Sequence, residues 1–278
     1  MKKAGKSVWR RIGEFLVFGL ILKSLHIFFK SVLWLLRGLW NTISKHAASA
    51  MQERKRPGNE AKYSNFEVLE SANGKFEDFE RYIMQSKSSI GIILGARGTG
   101  KSALGMRILE NVHAKSTRKV AAMGFSAGSI PKWIQCVEKI DEIRNGSFVL
   151  VDEGGIVFSA RQSLSDANKI LSELLLISRH KDLSVLFISQ NSANLDINAL
   201  RQADYLLLRK SSLLQKDFER KKIQQVYAEA RGLFEKYGKE KQKITYIYSD
   251  DFRGIASNPL PSFWSEGVSK AFSGFTPK

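Results

Sequence analysis

The octapeptide Gly95-Ala96-Arg97-Gly98-Thr99-Gly100-Lys101-Ser102 constrains this chain more than any other feature. It fits the pattern G-x-x-x-x-G-K-[ST], and its flanks fit too. Residues 89–94, SIGIIL, form a short apolar run with β-branched members, which predicts a buried strand. The ALGMRILENVH that follows carries apolar residues at helical spacing. Strand, glycine turn and helix in that order predict a phosphate-binding loop, the Walker A element. The residue types supply the chemistry. Glycines let backbone N–H groups converge on phosphate oxygens. The helix N-terminus adds its partial positive charge. Lys101 is expected to reach the β- and γ-phosphates, and the Ser102 hydroxyl to ligate Mg²⁺.

About 50 residues on, residues 147–155 read SFVLVDEGG. Four apolar residues in a row fit a buried parallel strand. Asp152 then stands at the carboxyl end, where ligands bind in an open α/β sheet. That is the place of the Walker B carboxylate, so Asp152 is expected to hold Mg²⁺. Glu153 follows at once and is expected to act as the general base on the attacking water. Alone, such an acidic pair could equally cap the next helix. Between the two motifs, residues 119–125 (KVAAMGF) predict a strand and residues 130–140 a helix. The Walker B strand is therefore read as the third, with an extra β-α unit between the motifs. That order, with the adjacent Glu153, points to ATPases that use a catalytic glutamate, and away from nucleotide kinases and GTPases.

Residues 164–178 read as a helix, and 183–189 (LSVLFIS) as another buried strand with Gln190 and Asn191 at its tip. A fifth strand follows at 203–209, after Asn194-Leu195-Asp196. An Arg179-His180 pair, a short gap, an apolar strand ending in Ser189-Gln190, then Asp196 and Arg201 resemble the HerA/FtsK superfamily. Within it, the zonula occludens toxin-like (Zot-like) ATPases of filamentous phage and viral DNA-packaging ATPases are most similar. The resemblance covers roughly residues 89–210. It implies an α/β fold with a RecA-like P-loop NTPase core, a mostly parallel sheet flanked by helices. It implies ATP with Mg²⁺ as ligands, and a ring oligomer, often a hexamer. The work implied is pumping of DNA, or virion assembly and export at a membrane. Gln190 would be the nucleotide sensor, and Arg179 and Arg201 the candidates for an arginine finger that reaches a neighbour's γ-phosphate. Zot-like proteins usually carry their membrane segment after the ATPase core. Here an apolar arm comes first, an order reminiscent of FtsK-like and conjugation ATPases.

That arm, residues 12–40, is rich in Leu, Phe and Ile, with Trp34 and Trp40 near its end. Its longest charge-free run, residues 15–22, is far short of the roughly 20 residues a spanning helix needs. Lys23, Lys30 and Arg37 recur every seven residues and fall roughly on one helical stripe. On insertion scales the apolar gain and the cost of the two lysines nearly cancel. Lying in the interface with snorkelling lysines costs less. Basic residues flank the arm on both sides, which suits two ends facing one anionic leaflet. A helix packed on protein is the alternative; a secretory signal fits less well, because lysines break the apolar core.

Charge bears on partners. The chain is +17, and residues 1–62 hold 13 basic and 3 acidic residues against 31 and 24 in the rest. Over half of the excess sits in under a quarter of the chain, a pattern that attracts nucleic acid or anionic lipid. Double-stranded DNA is the expected polymer, held through its phosphates, because no sequence-reading motif occurs. The single cysteine, Cys136, excludes an intrachain disulfide and a two-cysteine zinc site.

The expected organisation is a basic membrane-associating arm at 1–50 (contact through residues 8–40), a linker at 51–65, an ATPase domain at 66–250 and an irregular tail at 251–278. Residues 213–237 are expected to form one charged helix, with Arg220-Lys221-Lys222 a candidate DNA contact, and 243–249 an edge strand. The function expected is a membrane-associated, ring-forming ATP hydrolase that moves DNA, its ATPase domain cytoplasmic. The alternative is a Zot-like ATPase for virion assembly or protein export that does not act on DNA.

Overall fold

The structure, a computed structural model, describes residues 30–40, 58–159, 164–238, 243–265 and 268. By its contacts the chain divides into two units, Met1–Arg54 and Lys55–Lys278. In the first unit residues 30–40 form helix α1. Leu33, Trp34, Leu35, Leu36, Leu39 and Trp40 are exposed on it. The rest of the arm lies outside the described residues. Among the described residues, no helix is long and apolar enough to cross a membrane.

The described part of the second unit builds one nine-stranded sheet of order β1-β9-β8-β7-β2-β6-β5-β3-β4. The strands are β1 Glu67–Gly74, β2 Ser89–Leu94, β3 Val120–Met123, β4 Ile134–Val137, β5 Phe148–Asp152, β6 Ser184–Ile188, β7 Tyr205–Leu208, β8 Ile244–Ser249 and β9 Phe252–Ser257. The helices are α2 Phe76–Gln85, α3 Lys101–Lys115, α4 Glu153–Ser159, α5 Leu164–Ser178, α6 Ile197–Gln202, α7 Leu213–Phe218 and α8 Lys221–Tyr237. From β7 to β4 every neighbouring pair is parallel. β8, β9 and β1 continue the sheet antiparallel.

The central strands are apolar throughout because helices cover both faces. Strand alternation deals their side chains to two cores. Ile90 and Ile92 of β2, Val149 and Val151 of β5, and Val185 and Phe187 of β6 meet Leu171 of α5 and Val226 of α8. Ile93, Leu150 and Leu186 meet Leu104 and Leu109 of α3 and Phe79 of α2 on the other face. β6 pairs with both β2 and β5, so one strand separates the glycine-loop strand from the acid-tipped strand.

Four elements differ from the sequence reading. Residues 130–140 are not a helix: they hold β4, parallel to β3, between two short 3₁₀ turns. The acid-tipped strand is thus the fourth parallel strand in chain order, reached without an intervening helix. The single helix expected over 213–237 is broken into α7 and α8. The break falls where Glu219 turns inward and accepts hydrogen bonds from Ser192 N (2.7 Å) and Ser192 Oγ. Arg220 donates from Nε to Ser192 O (3.0 Å) and from Nη2 to Leu195 O (2.6 Å), so it braces this junction, while Lys221 and Lys222 stay exposed. β8 is an inner strand, because β9 and β1 extend the sheet beyond it. β9 itself comes from the stretch read as irregular tail, and Phe263 beyond it is buried.

Within the stretch read as linker, the Lys62 N–H donates to Glu110 Oε1 (3.0 Å), and Ser64 and Asn111 exchange two hydrogen bonds (3.0 and 2.8 Å). This segment is therefore strapped along α3.

Candidate active site

Parallel strands end on one edge of the sheet, and the loops there converge. At that edge lies a cavity of about 550 Å³. Arg97 through Ala103 form one wall. Asp152, Gly154, Gly155, Ser189 and Gln190 enter from the ends of β5 and β6. Arg209 enters from the end of β7, Lys243 from just before β8.

Gly95–Gly100 turns between β2 and α3 in a conformation that needs glycine. Gly98 and Gly100 have φ of 79° and 84°, and Gly100 is the residue that opens α3. Thr99 closes the turn, its hydroxyl donating to Ala96 O at 2.7 Å. Lys101 is buried and folds over the loop, Nζ donating to Gly95 O (2.7 Å) and Ala96 O (3.0 Å). Burial pulls its pKa down, and the charges of Asp152 and Glu153 oppose the shift. The Lys101 amino group is thus fixed over the loop backbone.

Ser102 is the second residue of α3, and its Oγ donates to Asp152 Oδ2 at 2.7 Å. The Gly155 N–H donates to Asp152 Oδ1 at 3.3 Å. Burial raises the Asp152 pKa, against the hydrogen bond from Ser102 and the backbone N–H groups of Gly155 and Gly154. A hydroxyl and a carboxylate side by side are a hard oxygen donor set suited to Mg²⁺. Glu153, the first residue of α4, is buried, and its Oε2 has no hydrogen-bond partner among the described residues. Its pKa is raised by burial and by Asp152, and lowered by hydrogen bonds from Ser189 and the Gln190 N–H. A buried carboxylate oxygen with no partner, next to Asp152 in the chain, has the chemistry of a proton acceptor.

Gly155 is required by space. A Cβ there would fall 1.7 Å from Gly124 O, so the start of α4 would have to move. Gly155→Ala is expected to cost about 1–3 kcal/mol of stability, measurable as a lower urea midpoint at unchanged slope.

The structure therefore brings Gly95–Ser102, Asp152, Glu153 and Gln190 together at one edge. Gln190 is exposed at the cavity wall, its carbonyl accepting from the Gln215 amide. Arg179 and Arg201 are not part of this assembly. Both are exposed and neither lines the cavity. Arg179 follows α5 and leads into the amino end of β6; Arg201 lies in the last turn of α6, ahead of β7. They could serve a phosphate site only on a second copy. Asp196 caps α6, accepting from Asn198 N at 2.7 Å. His180 is exposed.

Sequence reasoning missed Arg209. It is 2% exposed and directly follows β7, whose pairing with β2 brings it against the loop: the Arg209 N–H donates to Leu94 O at 2.8 Å. A Cβ on Gly95 would fall 2.5 Å from Arg209 Cβ. The guanidinium donates to Ile244 O and Asn258 Oδ1, both at 2.9 Å and both neutral, and Nε has no partner. Burial pulls its pKa down to about 10, still charged at pH 7. A charged residue ending an apolar strand was the available signal, the same one that marked Asp152.

Strand order, loop and acidic pair make this a RecA-like P-loop NTPase fold. Neither protein-family models nor curated proteins yielded a match to the chain. Solved structures did. One is B204, the DNA-packaging ATPase from Sulfolobus turreted icosahedral virus: 18% identity, TM-score 0.41, covering 62% of this chain and 98% of that one. The genome packaging NTPase B204 of Sulfolobus turreted icosahedral virus 2, in complex with ATP-gammaS, matches at 17% identity and TM-score 0.42, over 63% and 100%. The N-terminal domain of zonular occludens toxin from Neisseria meningitidis matches at 19% identity and TM-score 0.28, over 44% and 76%.

Proposed function

We propose that the chain is a Mg-ATP-dependent motor ATPase that translocates or packages DNA, working as a ring of copies tethered to a membrane, with its ATPase domain on the cytoplasmic side. One observation supports the hydrolytic part most strongly. Lys101, the Ser102–Asp152 pair and the half-satisfied Glu153 meet at the carboxyl edge of one parallel sheet. The loop N–H groups and Lys101 would hold the β- and γ-phosphates and stabilise charge that grows on them during transfer. Ser102 and Asp152 would hold Mg²⁺, which neutralises phosphate charge when bound. Glu153 Oε2 would take the proton of the attacking water, and Gln190 would sense the γ-phosphate. Arg179 or Arg201 would act on the site of a neighbouring copy.

The DNA part rests on charge and on the Arg179-His180…Gln190 resemblance. A net +17 favours a polyanion, held through phosphates. Turnover by the intact chain is expected to rise with double-stranded DNA of any sequence, and the stimulation to fade as salt is raised. Turnover that ignores DNA would overturn that part. The second reading is virion assembly or protein export at a membrane, without action on DNA; the exposed apolar side chains of α1, Trp34 and Trp40 among them, suit the membrane contact that both readings share. Stimulation by anionic vesicles in place of DNA would mark it.

A further inference from the structure

The cavity has two chemically different parts. Around the loop it is polar, with Lys101, Ser102, Asp152 and Gln190. Beyond the loop, Phe125, Leu260, Trp264 and Val268 supply apolar wall. Three of these four come from the segment that follows β9. At about 550 Å³ the space is of the size of a whole small-molecule site, so it has room for more than phosphates.

That segment is held firmly against the loop. Asn258 accepts from Arg209 Nη2 at 2.9 Å, and Arg209 backs the start of the loop. Leu260 O accepts from Arg107 Nη2, and the Ser262 N–H donates to Glu110 Oε2 at 2.9 Å. Arg107 and Glu110 belong to α3, the helix that begins with Lys101 and Ser102. Phe263 anchors the segment in the α3-side core, its ring edge-on to Trp133 with centroids 5.6 Å apart. Trp264 is only half buried: it packs partly on that core and also lines the cavity. A large aromatic fixed at its backbone and open on one side is suited to stacking on a flat ring.

We infer that Leu260, Trp264 and Val268 form the base-binding wall of the nucleotide site, and that Trp264 is the side chain that stacks on the base. This rests on the reading of the loop as a nucleotide-phosphate site. Asp152 and Gln190 stand at the ends of β5 and β6, and Glu153 opens α4. The segment leaves β9, crosses α3 at Leu260 and Ser262 and sets Phe263 against Trp133, so Trp264 and Phe125 line the same cavity as the loop. One cavity thus joins the loop to this apolar wall. The aromatic wall offers no base-edge hydrogen bonds from Trp264, Leu260 or Val268 side chains beyond the indole N–H. Recognition there follows ring area, so purine nucleotides are favoured over pyrimidine ones.

The test compares ATP with tripolyphosphate, which carries the phosphates without base or ribose. Both are titrated, with magnesium, against the intact chain, Trp264→Ala and Trp264→Phe. Trp264→Ala is expected to weaken ATP binding about tenfold and leave tripolyphosphate binding unchanged, as loss of one base–aromatic stack implies. Trp264→Phe is expected to keep most of the ATP affinity. Equal weakening of both ligands in Trp264→Ala would overturn the inference, because the side chain would then merely support the loop. Unchanged ATP binding would overturn it too. Should Trp264→Ala fail to fold, Trp264→Phe decides through fluorescence: the wild type is expected to lose tryptophan emission on adding ATP but not tripolyphosphate, and Trp264→Phe to lose that difference. A wild-type chain that binds neither ligand would overturn the phosphate-loop reading itself, and this inference with it.

Discussion

Replacing Glu153 by Gln is expected to leave ATP binding near the wild-type value and to lower turnover by about 100-fold or more, the usual range for loss of a general base. The substitution keeps the side chain's size and removes only its ability to take a proton. Binding should survive because the groups that would hold the phosphates and Mg²⁺, the loop with Lys101 and the Ser102–Asp152 pair, are unchanged. Turnover should not, because the other carboxylate at this edge, Asp152, is engaged by Ser102 at 2.7 Å and by the Gly155 N–H. Equilibrium binding of an ATP analogue and steady-state phosphate release, measured on one preparation, separate the two effects. If turnover stays within a few-fold of wild type, the base lies elsewhere.

The largest effect on stability is expected away from the chemistry, at Arg107 and Glu110. The two pair at 2.9 Å on α3, with side chains 2% and 0% exposed. Arg107 donates to the carbonyls of Lys62 and Leu260; Glu110 accepts from the Lys62 and Ser262 backbone N–H groups. One buried pair thus ties the segment before β1 and the segment after β9 to the phosphate-loop helix. Arg107→Met leaves the Glu110 carboxylate buried without its cation, at a cost of about 3–5 kcal/mol. Thermal unfolding should shift down by roughly 10 °C for a unit of this size. Arg107→Met combined with Glu110→Gln should recover much of the loss, because no unpaired charge remains. If the single variant unfolds with the wild type, the pair contributes nothing to the fold.

The parts that sequence reading captured share a physical property: each is encoded by adjacent residues. SIGIIL, FVLVD and SVLFI are unbroken apolar runs because both faces of those strands are covered. The loop between β2 and α3 and the acid at the tip of β5 follow from chain neighbours alone. The parts it missed depend on residues distant in the chain. Ile130, Ile134 and Val137 have helical spacing, yet the short β4 buries its two ends as the last strand beside β3. The break before α8 is set by Ser192, 27 residues from Glu219. Residues 252–257 (FRGIAS) have little strand signal of their own and gain it from pairing with β1 and β8. Arg209 and Trp264 join the site only because β7 pairs with β2 and because α3 holds the segment after β9.

The most direct test of the central claim is phosphate release from ATP by the intact chain, with and without magnesium, beside Lys101→Ala. Lys101 Nζ is fixed over the loop, and its removal would take away the side chain proposed to hold the β- and γ-phosphates. The expected result is magnesium-dependent release by the wild type that falls to background in Lys101→Ala. Release that persists unchanged in Lys101→Ala, or its absence from a folded, oligomeric wild type, would contradict a hydrolytic site in this cavity.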